Sequence, residues 1–215
     1  MKVKICCIKS VDEAQTAIEA GADVLGLVGP MPSGPGPITA KEAGSIVETL
    51  PGHIDSYYLT SKTHFESIAE EYLKVKSSHI QLTDHLEAGT RRQLKFEFPH
   101  LKIVQVVHVL ANEDIDKAQV YAESSDVLLL DSGSPNTAIK ELGGTGRTHN
   151  WTISKSIVEK VKIPVFLAGG LKSENVIQAI QTVQPYGLDL CSGVRTQDRL
   201  DQKKLELFMK TVRNV

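Results

Sequence analysis

The stretch from Ile163 to Arg195, IPVFLAGGLKSENVIQAIQTVQPYGLDLCSGVR, reads as strand, helix, strand, with glycines where each strand ends. Ile163–Leu167 is a short apolar run with Pro164 near its start, where a missing N–H is tolerated. Ala168-Gly169-Gly170 marks a turn. Ser173 can cap a following helix, whose Val176, Ile177, Ala179, Ile180 and Val183 fall on one face. A second strand, Gly187–Cys191, leads to Ser192-Gly193. Parallel strands joined by a helix leave both turns at one edge of the sheet, so the two glycine sets face one ligand. A glycine after a single strand is often only a turn. Two such loops in tandem point to phosphate, because backbone N–H groups free of side chains approach an anion closely.

Outward from this unit, strand and helix patterns alternate along the whole chain. Strands are expected at Val3–Ile8, Ala22–Val28, Ile54–Leu59, His79–Leu82, Lys102–Val107, Asp126–Leu130, Ile163–Leu167 and Gly187–Leu190. Helices are expected at Val11–Ala20, Ala40–Thr49, His64–Lys74, Leu86–Phe98, Glu113–Ala122, Thr152–Lys160, Glu174–Val183 and Asp201–Val212. Eight strand–helix units with no composition shift predict an α/β fold, a (β/α)8 TIM barrel forming a single domain over residues 1–215. A doubly wound sheet would carry its glycine fingerprint near the first strand, where this chain has none. In the barrel, the loops after the last two strands are the ones that hold a substrate phosphate.

Composition narrows the function. Of the 215 residues, 41% are hydrophobic, and the net charge is -2 without blocks of like charge, which leaves no footprint for nucleic acid or membrane. The start, MKVKICCIKS, is too short and lysine-broken for a signal peptide, and no apolar run reaches membrane length. Three cysteines, two of them adjacent, make neither a disulfide framework nor a metal-spacing motif, so a cytoplasmic location is expected. The partner expected is a small molecule, and the chain is expected to act as a monomer or homodimer.

Two insertions lie at the C-terminal ends of strands, where barrel enzymes keep their chemistry: Gly29–Pro37, GPMPSGPGP, and Asp131–Asn150, DSGSPNTAIKELGGTGRTHN. The first is a rigid wall. The second, with Gly143, Gly144 and Gly146 and the side chains Lys140, Arg147 and His149, can reach over a ligand as a lid.

Cys6 and Cys7 end the first strand, and strand alternation lets only one of them face the interior. A thiol there can act as a base near neutral pH if a cation lowers its pKa, and Lys4 shares the Cys6 face; both cysteines can equally be small core fillers. Asp131 follows the apolar run Val127–Leu130, at the active edge of the sixth strand, where it can serve as a general acid once partly desolvated, or simply form a turn with Ser132-Gly133. His108 and His149 can titrate at a site or pack as ordinary residues, and Asp189 reads as a structural hydrogen-bond partner. Cys191 would neighbour the first strand in a closed barrel, so a regulatory thiol pair is conceivable.

These residues resemble one family, the phosphoribosylanthranilate isomerases. Lys4-Ile5-Cys6 is similar to the family's opening K-I-C-G, with Cys7 where glycine is usual. The resemblance runs through Gln81-Leu82, Leu128–Asp131, Gly143–Gly146 with Trp151, Ala168-Gly169-Gly170-Leu171, Pro185-Tyr186-Gly187 and Ser192-Gly193-Val194. It implies an Amadori rearrangement of a phosphoribosyl amine to a 1-deoxy-ketose phosphate, in tryptophan biosynthesis, without cofactor or metal. By resemblance Cys6 is the base at the sugar C2, Asp131 the acid at the ring oxygen, and Gly144, Gly146, Gly169, Gly170, Ser192 and Gly193 the phosphate cradle.

The chain departs from the family at the other end of the substrate. Gly34-Pro35-Gly36 stands where Ser-Pro-Arg is usual, Thr83 where histidine is usual, and Arg195 where an acidic residue is common. Losing the arginine that pairs with the anthranilate carboxylate removes ~1.5 to 3 kcal/mol, roughly ten- to a hundredfold in affinity. Arg147 and Arg195 are the candidates to compensate, with Gln81 and His108 as further substrate contacts. The resemblance leaves two alternatives: a paralogue isomerising a different aldose phosphate, and a phosphosugar-binding protein without turnover, which would have no use for the pair Cys6 and Asp131.

Overall fold

The computed structural model describes residues 1–133, 140–144 and 146–214. Eight parallel strands close in sequence order, β1 pairing with both β2 and β8. They are β1 Lys2–Ile5, β2 Val24–Val28, β3 Asp55–Thr60, β4 His79–Leu82, β5 Lys102–His108, β6 Val127–Asp131, β7 Val165–Leu167 and β8 Gly187–Leu190. The helices are α1 Val11–Glu19, α2 Ala40–Val47, α3 Phe65–Val75, α4 Thr90–Glu97, α5 Glu113–Ala122, α6 Trp151–Lys160, α7 Val176–Val183 and α8 Gln202–Arg213. This is the expected (β/α)8 barrel.

Alternation along the strands builds two apolar layers. One packs between strands and helices, with Ile5, Leu25, Tyr58, Ile80, Ile103, Leu128, Leu167 and Leu188 facing outward onto the helices. The other fills the lumen with Val24, Tyr57, Val104, Val106, Val127, Leu129 and Phe166. Near the N-terminal edge the lumen is plugged by aromatic rings, Tyr57 lying 5.9 Å from Phe166 and 4.3 Å from the His79 ring, and Phe166 5.8 Å from Tyr186. Helix entries follow from capping chemistry: Ser10 accepts from Glu13 N, Asp201 accepts from Lys204 N, and Thr39 with Glu42 forms a reciprocal box.

Several boundaries differ from the sequence pattern for physical reasons. β7 starts after Pro164, which has no N–H for the ladder. α4 starts at Thr90 rather than Leu86 because Gly89, at φ 88°, turns the chain first. α7 is not capped by Ser173: Asn175 stands at its N-terminus, and its side chain accepts from Lys172 N and donates to Gly170 O, tying the helix to the loop before it. β1 stops at Ile5 and not Ile8, because Cys7 adopts φ 65°.

Candidate active site

That turn at Cys7 decides the chemistry of the mouth. It breaks strand alternation, so the expectation that only one of the adjacent cysteines faces inward is corrected: Cys6 and Cys7 both line the same cavity. The cavity lies at the C-terminal ends of the strands and opens to solvent, with about 690 Å³ of empty space when the open mouth is included. Its lining includes Gln81, Asp131, Gly143, Gly144, Gly146, Ala168, Gly169, Gly170, Asp189, Cys191 and Ser192, with Met31, Ser33, Gly34, Pro35 and Leu142 forming one rim.

At the floor, Lys4 is fully buried and donates to Asp189 Oδ1 at 2.9 Å. Gly26 on β2 makes the space: a Cβ there would stand 2.8 Å from Cys6 Sγ and 3.0 Å from Lys4 Nζ. One ammonium thus serves two acids in a dry setting. The hydrogen bond from Cys7 draws the Cys6 pKa down to about 6, burial opposes this, and the Lys4 charge adds to the lowering. Burial pushes Asp189 up to about 8 against the pull of Lys4, with Cys6 adding to the rise. Burial also works against the charge on Lys4, but Asp189 and Cys6 outweigh it and its pKa is raised. The Lys4 charge thus favours the ionised form of Asp189 and of Cys6 alike, against the burial of both. Cys7 is held as a thiol, first by its contact with Cys191 and then by Cys6.

Asp131 ends β6, 7% exposed, and its Oδ1 accepts from Ser132 N at 2.7 Å. Three loops then meet beside it. A Cβ on Gly170, at φ 61°, would stand 2.7 Å from the Arg147 carbonyl carbon, and one on Gly193 would stand 2.1 Å from Leu171 O. Only glycine permits these approaches, which hold the loops after β6, β7 and β8 together. Gly144, Gly146, Gly169, Gly170 and Ser192 line the cavity; Gly193 instead packs beneath the β7 loop. Thr145, and residues 134–139 of the expected lid, lie outside the described residues.

The arginines are corrected. Arg195 is buried away from the cavity, donating to Glu13 and to the Cys6 and Cys7 carbonyls, so it braces the end of β1 and touches no ligand space. Arg147 pairs with Glu141 on the surface and is not a lining residue. His108 is likewise outside the lining, its Nε2 3.0 Å from Thr83 O, and His149 shares a hydrogen bond with Ser154 Oγ while burial lowers its pKa. Gln81 does line the cavity, and its buried Oε1 has no hydrogen-bond partner among the described residues. No lysine or arginine lines the cavity among the described residues. Nor do three or more His, Cys, Asp or Glu among them form a group that could hold a metal ion.

Gly36 explains the missing arginine. At φ 81°, a Cβ there would stand 2.6 Å from Cys7 Cβ and 3.1 Å from Cys7 Cα. Cys7 therefore fills the space a side chain at 36 would need. Along the sequence the two departures look independent; in the fold they are one.

Comparison with known proteins agrees with this geometry. The chain matches the family model of N-(5'phosphoribosyl)anthranilate (PRA) isomerase over residues 3–211. It is 31% identical over 214 residues to the N-(5'-phosphoribosyl)anthranilate isomerase of Methanocella arvoryzae, covering 100% of this chain and 97% of that one. It is 33% identical over 217 residues to the enzyme of the same name from Crocosphaera subtropica, covering both chains fully. The crystal structure of phosphoribosyl anthranilate isomerase from Thermotoga maritima superposes over 100% of both chains with a TM-score of 0.85 at 26% identity. With a cavity of this make-up at the mouth of such a barrel, the chain belongs to the phosphoribosylanthranilate isomerase family.

Proposed function

We propose that this isomerase converts N-(5'-phosphoribosyl)anthranilate to the corresponding 1-deoxyribulose phosphate in tryptophan biosynthesis, with Cys6 as base and Asp131 as acid. The observation that carries the reading is a thiol drawn toward its thiolate and a carboxyl group lining one cavity with three glycine loops. Phosphate rests on the amides of Gly144, Gly146, Gly169, Gly170 and Ser192, which fixes the sugar by its far end. Asp131 gives its proton to the ring oxygen as the C1–O bond breaks, leaving a protonated imine. The Cys6 thiolate then takes the C2 proton, and the electron pair of the C–H bond moves into the imine to give an enolamine, which tautomerises to the ketone. Lys4 is a positioning residue: after Cys7, its charge helps to lower the Cys6 pKa without touching the sugar. The substrate is a small phosphosugar, and no helix among the described residues is long and apolar enough to cross a membrane. Free thiols in the site suit a reducing compartment, and we place the enzyme in the cytoplasm.

Gly36 carries a second reading. A cavity lined by no cation among the described residues suits a phosphosugar whose amine substituent lacks a carboxylate. Turnover of N-(5'-phosphoribosyl)anthranilate by the purified protein separates the two. Turnover, lost in Asp131→Asn with inorganic phosphate still bound, supports the leading reading. An inert wild type that binds phosphate transfers the weight to the second.

A further inference from the structure

We propose that Cys7 and Cys191 form a reversible disulfide across the mouth of the cavity, and that this bond turns the isomerase down. The two sulfurs stand 2.7 Å apart, on the ends of strands that pair directly in the barrel. They need to close by only about 0.7 Å to the ~2.04 Å of an S–S bond. In the proton-transfer scheme neither residue exchanges a proton with the substrate. Cys7 holds a left-handed backbone that a residue with a Cβ adopts reluctantly, and that turn is what aims its thiol at Cys191. Cys191 is partly exposed and lines the open cavity, so a small reagent reaches it first, whereas Cys6 and Cys7 are buried.

The oxidant is a low-molecular-weight disulfide, R–S–S–R. The Cys191 thiolate attacks one of its sulfurs, forming a mixed disulfide and expelling one R–S⁻. Cys7, held as a thiol until then, passes its proton to the first expelled R–S⁻ and attacks the Cys191 sulfur, forming the Cys7–Cys191 bond and expelling the second R–S⁻. The two protons given up by the protein thiols leave with the two expelled thiolates as R–SH, so the protein is oxidised by two electrons and the reagent is reduced by two. A small dithiol reverses the exchange.

The effect on turnover rests on the role given to Cys6 above; the bond itself does not. Cys7, which lines the same cavity as Cys6, is as a thiol the largest influence holding the Cys6 pKa down. As half of a disulfide it has no proton to donate. The Cys6 pKa then rises from about 6 toward the ~8.5 of a free thiol, which lowers the thiolate fraction at pH 7 by up to about thirtyfold.

The test treats the purified full chain with oxidised glutathione, then with dithiothreitol, and alkylates it under denaturing conditions for intact-mass and peptide analysis. Three cysteines should be alkylated in the reduced protein and one, Cys6, after oxidation, with a peptide linking Cys7 to Cys191. Turnover at pH 7 should fall several-fold on oxidation and return with dithiothreitol. Cys191→Ser, measured against its own reduced rate, should be insensitive to oxidised glutathione. Three free thiols after oxidation, a stable mixed disulfide on Cys191, a link that includes Cys6, or unchanged turnover in protein carrying the Cys7–Cys191 bond would each overturn the proposal. The thiol map decides the bond even if the protein does not turn over N-(5'-phosphoribosyl)anthranilate.

Discussion

The two ends of this barrel are built from the same eight strands and obey different rules. At the N-terminal edge charges meet opposite charges: Lys2 pairs with Asp23, and Lys95 and Lys102 share Asp126. Aromatic rings close the lumen behind them. At the C-terminal edge one ammonium faces two acids, a cysteine sits at φ 65°, and a buried amide oxygen on Gln81 has no partner among the described residues. Paired charges and packed rings make the first end the stable one, and it holds the strands that position the reactive groups of the second.

The division is tested hardest by exchanging readouts between the ends. Cys6→Ser or Asp131→Asn should lower kcat by ~10²- to 10⁴-fold, the usual worth of a positioned acid or base, while the melting temperature holds. Phe166→Ala, in the aromatic plug, should do the reverse: lose ~3–5 kcal/mol in denaturant unfolding with kcat per folded molecule unchanged. A plug variant that cut kcat as deeply as the Asp131 variant would erase the contrast.

The next effect sharpens the reactive end. Gly36→Arg alone should impair the site, because its side chain has no room beside Cys7. Cys7→Gly with Gly36→Arg removes the 2.6 Å clash, leaves the strain of φ 81° at position 36, and adds a cation for the substrate carboxylate. KM for N-(5'-phosphoribosyl)anthranilate should then fall roughly ten- to a hundredfold relative to Cys7→Gly alone. An unchanged KM would place the carboxylate elsewhere. The smallest effect belongs to the stable end, where the half-exposed pair of Lys2 and Asp23 should contribute no more than ~1 kcal/mol by denaturant titration of Lys2→Ala, and nothing to turnover.

The barrel was legible because alternating strands and helices leave a coarse signal that survives small boundary shifts. The glycine loops and the ends of β1 and β6 were legible for the same reason, since topology brings strand ends to one edge. What escaped was set by single backbone angles and by contacts between distant segments. Cys7 looked like a strand residue until its φ turned it inward, and Arg195 looked like a ligand until Glu13, 182 residues away in sequence, was seen to hold it. Gly26 carries no local pattern at all; its role exists only because Cys6 and Lys4 lean across from β1.

The pH dependence of kcat/KM, in wild type and in Lys4→Met, bears most directly on the thiolate at the mouth of the barrel. If the Cys6 thiolate is the base, as proposed, activity should rise with pH through an acid limb near about 6 in the reduced enzyme. Removing the Lys4 charge favours the thiol, so the limb should move to higher pH, and activity below it should fall about tenfold for every pH unit the limb moves. The variant should recover toward wild type as pH rises. A limb that stays in place in Lys4→Met, or activity that persists in Cys6→Ser with the same profile, would mean that another group takes the proton.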